Sequence, residues 1–216
     1  MEKGKAMKRL LEGLKKFQSQ VFHEKQELFM RLAKKQEPDT LFITCSDSRV
    51  DPNLLTQTEP GELFILRNAG NLVPPYGALA GGTTATIEFG VAALQVKDIV
   101  VCGHSNCGAL KALVFPETLQ DLPAVREWLR YAESTRRVMK EYYGHLENED
   151  FLETVIKENV LIQLANLRTH PAVVVRLRRG DLNLHGWVYS IESGKVWVYD
   201  ENMGNFIEPN AVSDVV

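Results

Sequence analysis

Two short apolar runs constrain this chain more than any other feature. Leu41-Phe42-Ile43-Thr44 and Ile99-Val100-Val101-Cys102 are β-prone and apolar enough for strands covered on both faces. Between them, Gly81-Gly82-Thr83-Thr84 offers helix-start chemistry ahead of Ile87, Val91 and Leu94. Strand, helix and strand in that order predict a right-handed parallel crossover. A further run, Leu63 to Leu66, follows the turn signal Pro60-Gly61 and reads as another strand. With 216 residues, 44% of them hydrophobic, one sizeable core is affordable. The expected fold is therefore a single α/β domain, 1–216, with a mostly parallel central sheet flanked by helices.

The rest of the chain fits that frame. Pro123 to Tyr143 and Phe151 to Leu167 carry helical periodicity, Gly186 to Ile191 and Lys195 to Tyr199 read as strands, and 115–122 and 144–150 read as loops. From Lys5 to Leu32, apolar residues recur at helical spacing between charges, so 1–36 reads as a helical arm and 37–216 as the core. Whether the arm packs on its own core or on a second subunit is open at this level. The net charge of -3 comes with no stripe of Lys and Arg, so no nucleic acid partner is expected. Met1 to Lys16 lacks the apolar stretch of a secretory signal, and no run is long enough to span a bilayer. The expectation is a soluble, cytoplasmic protein without a membrane partner.

Only three cysteines occur, at 45, 102 and 107, too few and too odd a number for a disulfide framework. Cys45 ends one predicted parallel strand, and His104 and Cys107 lie just beyond another. The carboxyl ends of strands are where sites assemble in open α/β sheets. Two thiolates and one imidazole suit zinc, and three protein ligands leave a fourth position free, which points to catalysis. Gly103 and Gly108 would let the backbone turn around the His-x-x-Cys loop, and a helix starting near Ala109 would aim amides at the site. Cys102, inside the strand, reads as core. Asp47 and Arg49 follow Cys45 closely. Arg49 could hold Asp47 ionised so that it accepts a proton from water, or the pair could only fix the loop.

Cys45-Ser46-Asp47-Ser48-Arg49-Val50, Pro60-Gly61-Glu62, Arg67-Asn68-Ala69-Gly70-Asn71 and Gly103-His104-Ser105-Asn106-Cys107-Gly108 together closely resemble the β-class carbonic anhydrases, and the likeness runs on to Leu184-His185-Gly186-Trp187. The resemblance implies one zinc per chain on Cys45, His104 and Cys107. It implies reversible hydration of carbon dioxide to bicarbonate by a zinc-bound hydroxide, with Asp47 and Arg49 as the catalytic dyad. Asp47 would be a conditional fourth ligand. Gln36 and the Gly108 region would contact substrate, and Phe64, Ala69 and Phe89 would wall its pocket. Phe42 stands where regulated relatives carry tryptophan, which implies the plant-like, constitutively open subtype. A homodimer is the implied minimal unit, with glutamine and aromatic wall crossing the interface and the N-terminal helices packing on the partner subunit, and tetramers or octamers are open. Some bacterial relatives are packaged in carboxysomes; nothing in this sequence supports that here.

Because two thiolates donate more charge than imidazoles, activity is expected to rise from neutral to alkaline pH. His145, His170 and His185 read as surface or structural residues, and no proton shuttle is assigned. Two other readings remain at this level. One is a related zinc hydrolase of carbonyl sulfide or carbon disulfide. The other is a non-catalytic zinc or redox-sensing protein, against which the retained Asp47 and Arg49 argue.

Overall fold

The computed structural model describes residues 4–78 and 81–209. Its chain divides into two compact units, Met1–Glu37 and Pro38–Val216. The first unit is helical: α1 (Lys5–Lys16) runs through a wide π turn at Phe17–Val21 into α2 (Phe22–Glu24) and α3 (Gln26–Leu32). Phe22 stacks on Phe29 at 5.4 Å, and Phe17 meets Phe29 edge-on at 5.8 Å. These rings fold the unit on itself.

The second unit is built on six strands in the order β2-β1-β3-β4-β5-β6. β1 (Thr40–Cys45), β2 (Leu63–Asn68), β3 (Asp98–His104) and β4 (Asn183–Tyr189) are parallel, and β5 (Val196–Asp200) and β6 (Asn205–Ile207) continue antiparallel. The chain runs from β1 outward to β2 and then returns to β3 on the opposite side of β1. A crevice opens at such a reversal, beyond the carboxyl ends of the two central strands.

Alternation along the strands sorts the core into two faces. Leu41, Ile43, Cys45, Ile99 and Val101 belong to the large cluster, whereas Phe42, Val100 and Cys102 form a smaller one on the reverse side, where Phe42 meets Trp187 edge-on at 5.8 Å. The large face is covered by α9 (Asn148–Leu167), whose Val155, Val160 and Leu167 are completely buried. That helix lies close because β3 and β4 present glycines to it. A Cβ on Gly103 would sit 2.9 Å from Ile156 Cγ2, and one on Gly186 would sit 2.9 Å from Val160 Cγ1.

Smaller helices complete the unit: α4 (Pro52–Thr56), α5 (Gly82–Glu88), α6 (Gly108–Val114), α7 (Pro123–Leu129), α8 (Glu133–Tyr142) and α10 (Pro171–Arg179). Several depart from expectation. The helix expected over 123–143 breaks at a 3-10 turn, Arg130–Ala132, around which Leu129 and Ala132 are both buried. The expected loop 115–122 holds a 3-10 turn at Pro116–Leu119, and α9 begins at Asn148, inside the expected loop 144–150. α10 was hidden by its β-branched run Val173-Val174-Val175, and β6 is too short to show a period. No helix among the described residues is long and apolar enough to cross a membrane.

Candidate metal centre

Cys45 is the last residue of β1 and His104 the last of β3, and Thr44 Oγ1 donates to the Cys102 carbonyl at 2.9 Å, tying the two strand ends together. Cys107 follows three residues on, at the start of α6. The three ligand atoms lie within 4.8 Å of one another, and all three residues are buried. His104 Nδ1 is 2.9 Å from the Ser105 carbonyl. A carbonyl only accepts, so Nδ1 carries the proton and Nε2 keeps its lone pair. That Nε2 is buried without a hydrogen-bond partner. A buried nitrogen lone pair facing two sulfurs is the arrangement a metal ion satisfies.

The sulfurs themselves are 3.9 Å apart. The Cys45 thiol is lowered to about 4, first by the hydrogen bond from Cys107, with the amides of Gly70 and Asp47 adding to it against the opposing effect of burial. Cys107 is pushed up by the same bond and by burial. Two sulfurs and an imidazole fit zinc by ligand type, and three donors leave room for a fourth. Cys102 lies on the reverse face, its thiol pushed up to about 12 by burial.

Beside the cluster, Arg49 grips Asp47 with both ends of its fork: Nε donates to Oδ1 at 2.9 Å and Nη2 to Oδ2 at 2.8 Å. That grip holds the Asp47 carboxyl well below the usual carboxylate range. Oδ2 stands 3.9 Å from His104 Nε2. Arg67 fixes the loop beneath, donating to the carbonyls of Cys45 at 3.0 Å and Asp47 at 2.7 Å.

The ligand loop is held from outside as well. Glu192, in the turn between β4 and β5, accepts from Ser105 Oγ at 2.5 Å and from Asn106 Nδ2, and these donors, Ser105 first, lower its carboxyl to about 2. Asn106 also accepts at its carbonyl from Arg49 Nη2 at 3.1 Å. The loop's turn is made by Asn106, at φ 55°, and not by the glycines expected to make it. Gly103 is extended strand, there to admit α9, and Gly108 simply opens α6 with open space where a Cβ would go. The Ala109 and Leu110 amides lean on the Cys107 sulfur and oppose the rise of its pKa, without completing a capping bond.

A family model described as carbonic anhydrase matches residues 40–196. A carbonic anhydrase from a Synechocystis species is 52% identical over 206 residues, 95% of this chain and 75% of that protein. This chain belongs to the β-carbonic anhydrase family. It is accordingly an enzyme, a carbonate dehydratase. The structure of the β-carbonic anhydrase CcaA superposes with a TM-score of 0.92 at 52% identity, covering 94% of this chain and all of that one. One of two tetrameric β-carbonic anhydrases from Sordaria macrospora superposes with a TM-score of 0.79 at 27% identity, covering 94% of this chain and 98% of that one.

Against the family's pattern, the structure groups Cys45, His104, Cys107, Asp47 and Arg49 at one place and leaves other expected residues elsewhere. Phe64 and Phe89 face each other with ring centroids 6.0 Å apart. Phe64 pairs with Leu41 and Asn68 with Cys45, so Phe64 lies four residues, about 13 Å, back along the strand from the cluster. Within one chain the aromatic pair thus stands apart from the sulfurs. Ala69 adjoins Gly70, whose N–H donates to Cys45 Sγ at 3.4 Å. Gln36 is exposed at the end of the first unit. Sequence reasoning passed over Arg67, Ser105 and Glu192; Arg67 was visible within a quoted motif, whereas Glu192 carries no local signal at all.

Proposed function

We propose that the chain catalyses the reversible hydration of carbon dioxide to bicarbonate and a proton, with zinc held by Cys45, His104 and Cys107 and with Asp47 and Arg49 as the catalytic dyad. The observation that carries this reading is the unpartnered, buried Nε2 of His104, with the sulfurs of Cys45 and Cys107 within 4.8 Å and the Asp47 carboxylate at 3.9 Å. Zinc bound there would supply a Lewis acid that makes a water acidic enough to serve as nucleophile near neutral pH. The chain's own residues do the remainder. Arg49 keeps Asp47 ionised and fixes both its oxygens, leaving Oδ2, on the His104 side, as acceptor for the proton of an incoming water. His104 is held in one tautomer by Ser105, so its orientation costs nothing at the moment of reaction. The same Oδ2 is the atom Asp47 would offer as a conditional fourth ligand.

Carbon dioxide is small and uncharged and needs an apolar wall more than it needs donors. Phe64 and Phe89 supply such a wall, and their distance from the cluster of their own chain supports a site completed by a second subunit. Gln36 would enter from that subunit as a bicarbonate donor, and the Ala69 and Gly108 backbones would line the near side. The family's tetrameric members support an oligomer built from such dimers.

Zinc content per chain and stopped-flow hydration of carbon dioxide, measured on one preparation at alkaline pH, test this directly. Fast turnover with about one zinc per chain is the expected result. Full zinc without turnover would overturn the reading and point to a related hydrolase of carbonyl sulfide or carbon disulfide.

A further inference from the structure

The Ala69-Gly70 peptide joins the metal cluster to a buried polar network that no site motif contains. Its N–H, from Gly70, donates to Cys45 Sγ at 3.4 Å. Its carbonyl, from Ala69, accepts from Trp128 Nε1 at 2.8 Å. The next carbonyl, that of Gly70, accepts from Asn159 Nδ2 at 3.1 Å. Asn159 is itself fixed, its Oδ1 accepting from Thr135 Oγ1 at 3.2 Å and from Gln163 Nε2 at 3.0 Å. Thr135, Asn159 and Gln163 are all completely buried. Gly70 has φ +80°, and a Cβ there would meet Ala109 Cβ at 3.3 Å, so the peptide is clamped where only glycine fits.

We propose that Trp128 and Asn159 are positioning residues for metal ligation, holding the Ala69-Gly70 peptide so that its N–H stays on the Cys45 sulfur and tempers that sulfur's donation to the metal. The inference rests on Cys45 being a ligand. Trp128, a donor on the carbonyl of the same peptide, polarises it and strengthens the hydrogen bond its N–H makes, while Asn159, on the next carbonyl, fixes Gly70 in place. A hydrogen bond to a ligand sulfur draws electron density from it, and outer partners of this kind tune the metal as well as orienting the ligand. Trp128 acts from α7 and Asn159 from α9, so two helices that carry no ligand set the electronic character of one that sits on β1.

Cobalt substitution makes this visible, because cobalt bound to thiolate shows a thiolate-to-cobalt charge-transfer band. Trp128→Phe keeps a ring in place and removes the N–H. The expected result is a band moved to longer wavelength at unchanged cobalt stoichiometry, since a more electron-rich sulfur gives up charge more easily. Asn159→Ser should move it the same way and is read alone if the Trp128 variant does not fold. Leu129→Ala, a buried neighbour on α7 without a hydrogen bond in this chain of contacts, should melt lower while leaving the band in place. A parent protein that lacks the band at full cobalt loading removes the ligand reading and this inference with it. A parent with the band, whose Trp128→Phe and Asn159→Ser variants keep it unmoved or whose Leu129→Ala variant moves it equally, overturns the inference alone.

Discussion

Gly103→Ala joins the packing of the core to the chemistry of the site. The added methyl would lie 2.9 Å from Ile156 Cγ2, 3.0 Å from Val160 Cγ2 and 3.7 Å from the Ile156 carbonyl oxygen. Carbon atoms rest at about 3.5–4.0 Å, so α9 and β3 must separate by roughly 0.5–1 Å. Overpacking of this kind costs about 1–3 kcal/mol, which at about 2–4 °C per kcal/mol for a chain of this size lowers the melting temperature by roughly 2–12 °C. The next residue along β3 is His104, so the displacement reaches a ligand. A misplacement on the order of 1 Å costs about 10²-fold in rate. The expected outcome is a modest loss of melting temperature with a disproportionate loss of zinc retention and hydration rate. Val160→Ala removes one of the clashing methyls, so the double variant should be more stable than the sum of the singles by about 0.5–3 kcal/mol. Thermal denaturation of the four proteins, with zinc measured on each, decides it. A strictly additive cycle, or an unaltered rate in Gly103→Ala, would refute the claim that the approach of α9 to β3 sets the position of His104.

Other substitutions separate the roles. Cys107→Ala should leave zinc well below one per chain and abolish hydration, and its melting temperature should no longer respond to a chelator that lowers the parent's. Asp47→Asn keeps the shape but sets an amide donor against the Arg49 guanidinium; zinc should remain while hydration falls by about 10²-fold or more, and a parent-like rate would remove Asp47 from the dyad. His170 donates from Nε2 to the Pro74 carbonyl at 3.0 Å, and burial pulls its pKa below the ordinary value of 6.5. Below pH 6.5 the unfolded chain therefore takes up a proton that the folded chain resists, and stability falls with pH down to the lowered pKa, by at most about 1.4 kcal/mol per pH unit. Denaturant titrations of metal-free protein at pH 7.5 and 5.5 should show this slope flattened in His170→Gln; equal slopes would contradict the assignment.

What the sequence makes legible here is what repeats or sits close together. The apolar runs at 41–44 and 99–102 announce a parallel crossover because strands covered on both faces have no polar alternation to lose. Cys45 and His104 are legible because they stand at or just beyond the ends of these runs, and Cys107 because it lies three residues past His104. The ligand loop's turn was misread for a physical reason: glycine is the usual signal for a tight turn, but Gly103 is needed where a helix approaches and Asn106 takes the left-handed conformation itself. α10 was lost because a β-branched run argues locally for strand, and only Pro171 at its first turn argues otherwise.

Contacts across long stretches of chain leave no such local trace. Glu192 reaches Ser105 and Asn106 from a turn between antiparallel strands, and Asn159 reaches Gly70 from the middle of a helix whose periodicity marks it only as core. Glu192 holds the side chains of the loop between His104 and Cys107, Asn159 holds the residue whose N–H meets the Cys45 sulfur, and neither belongs to the metal cluster. This division has a physical reason. The three proposed ligands come from separate segments, two strand ends and a helix start, so no single local conformation holds them in place. Each segment must be pinned by something remote: the Cys45 loop by Arg67, the Asn106 turn by Glu192, the Gly70 turn by Asn159 and Trp128. Variants in the pinning residues should accordingly weaken metal binding by disordering a loop, while variants in the ligands remove a bond, and only the former should be rescued by raising the zinc concentration.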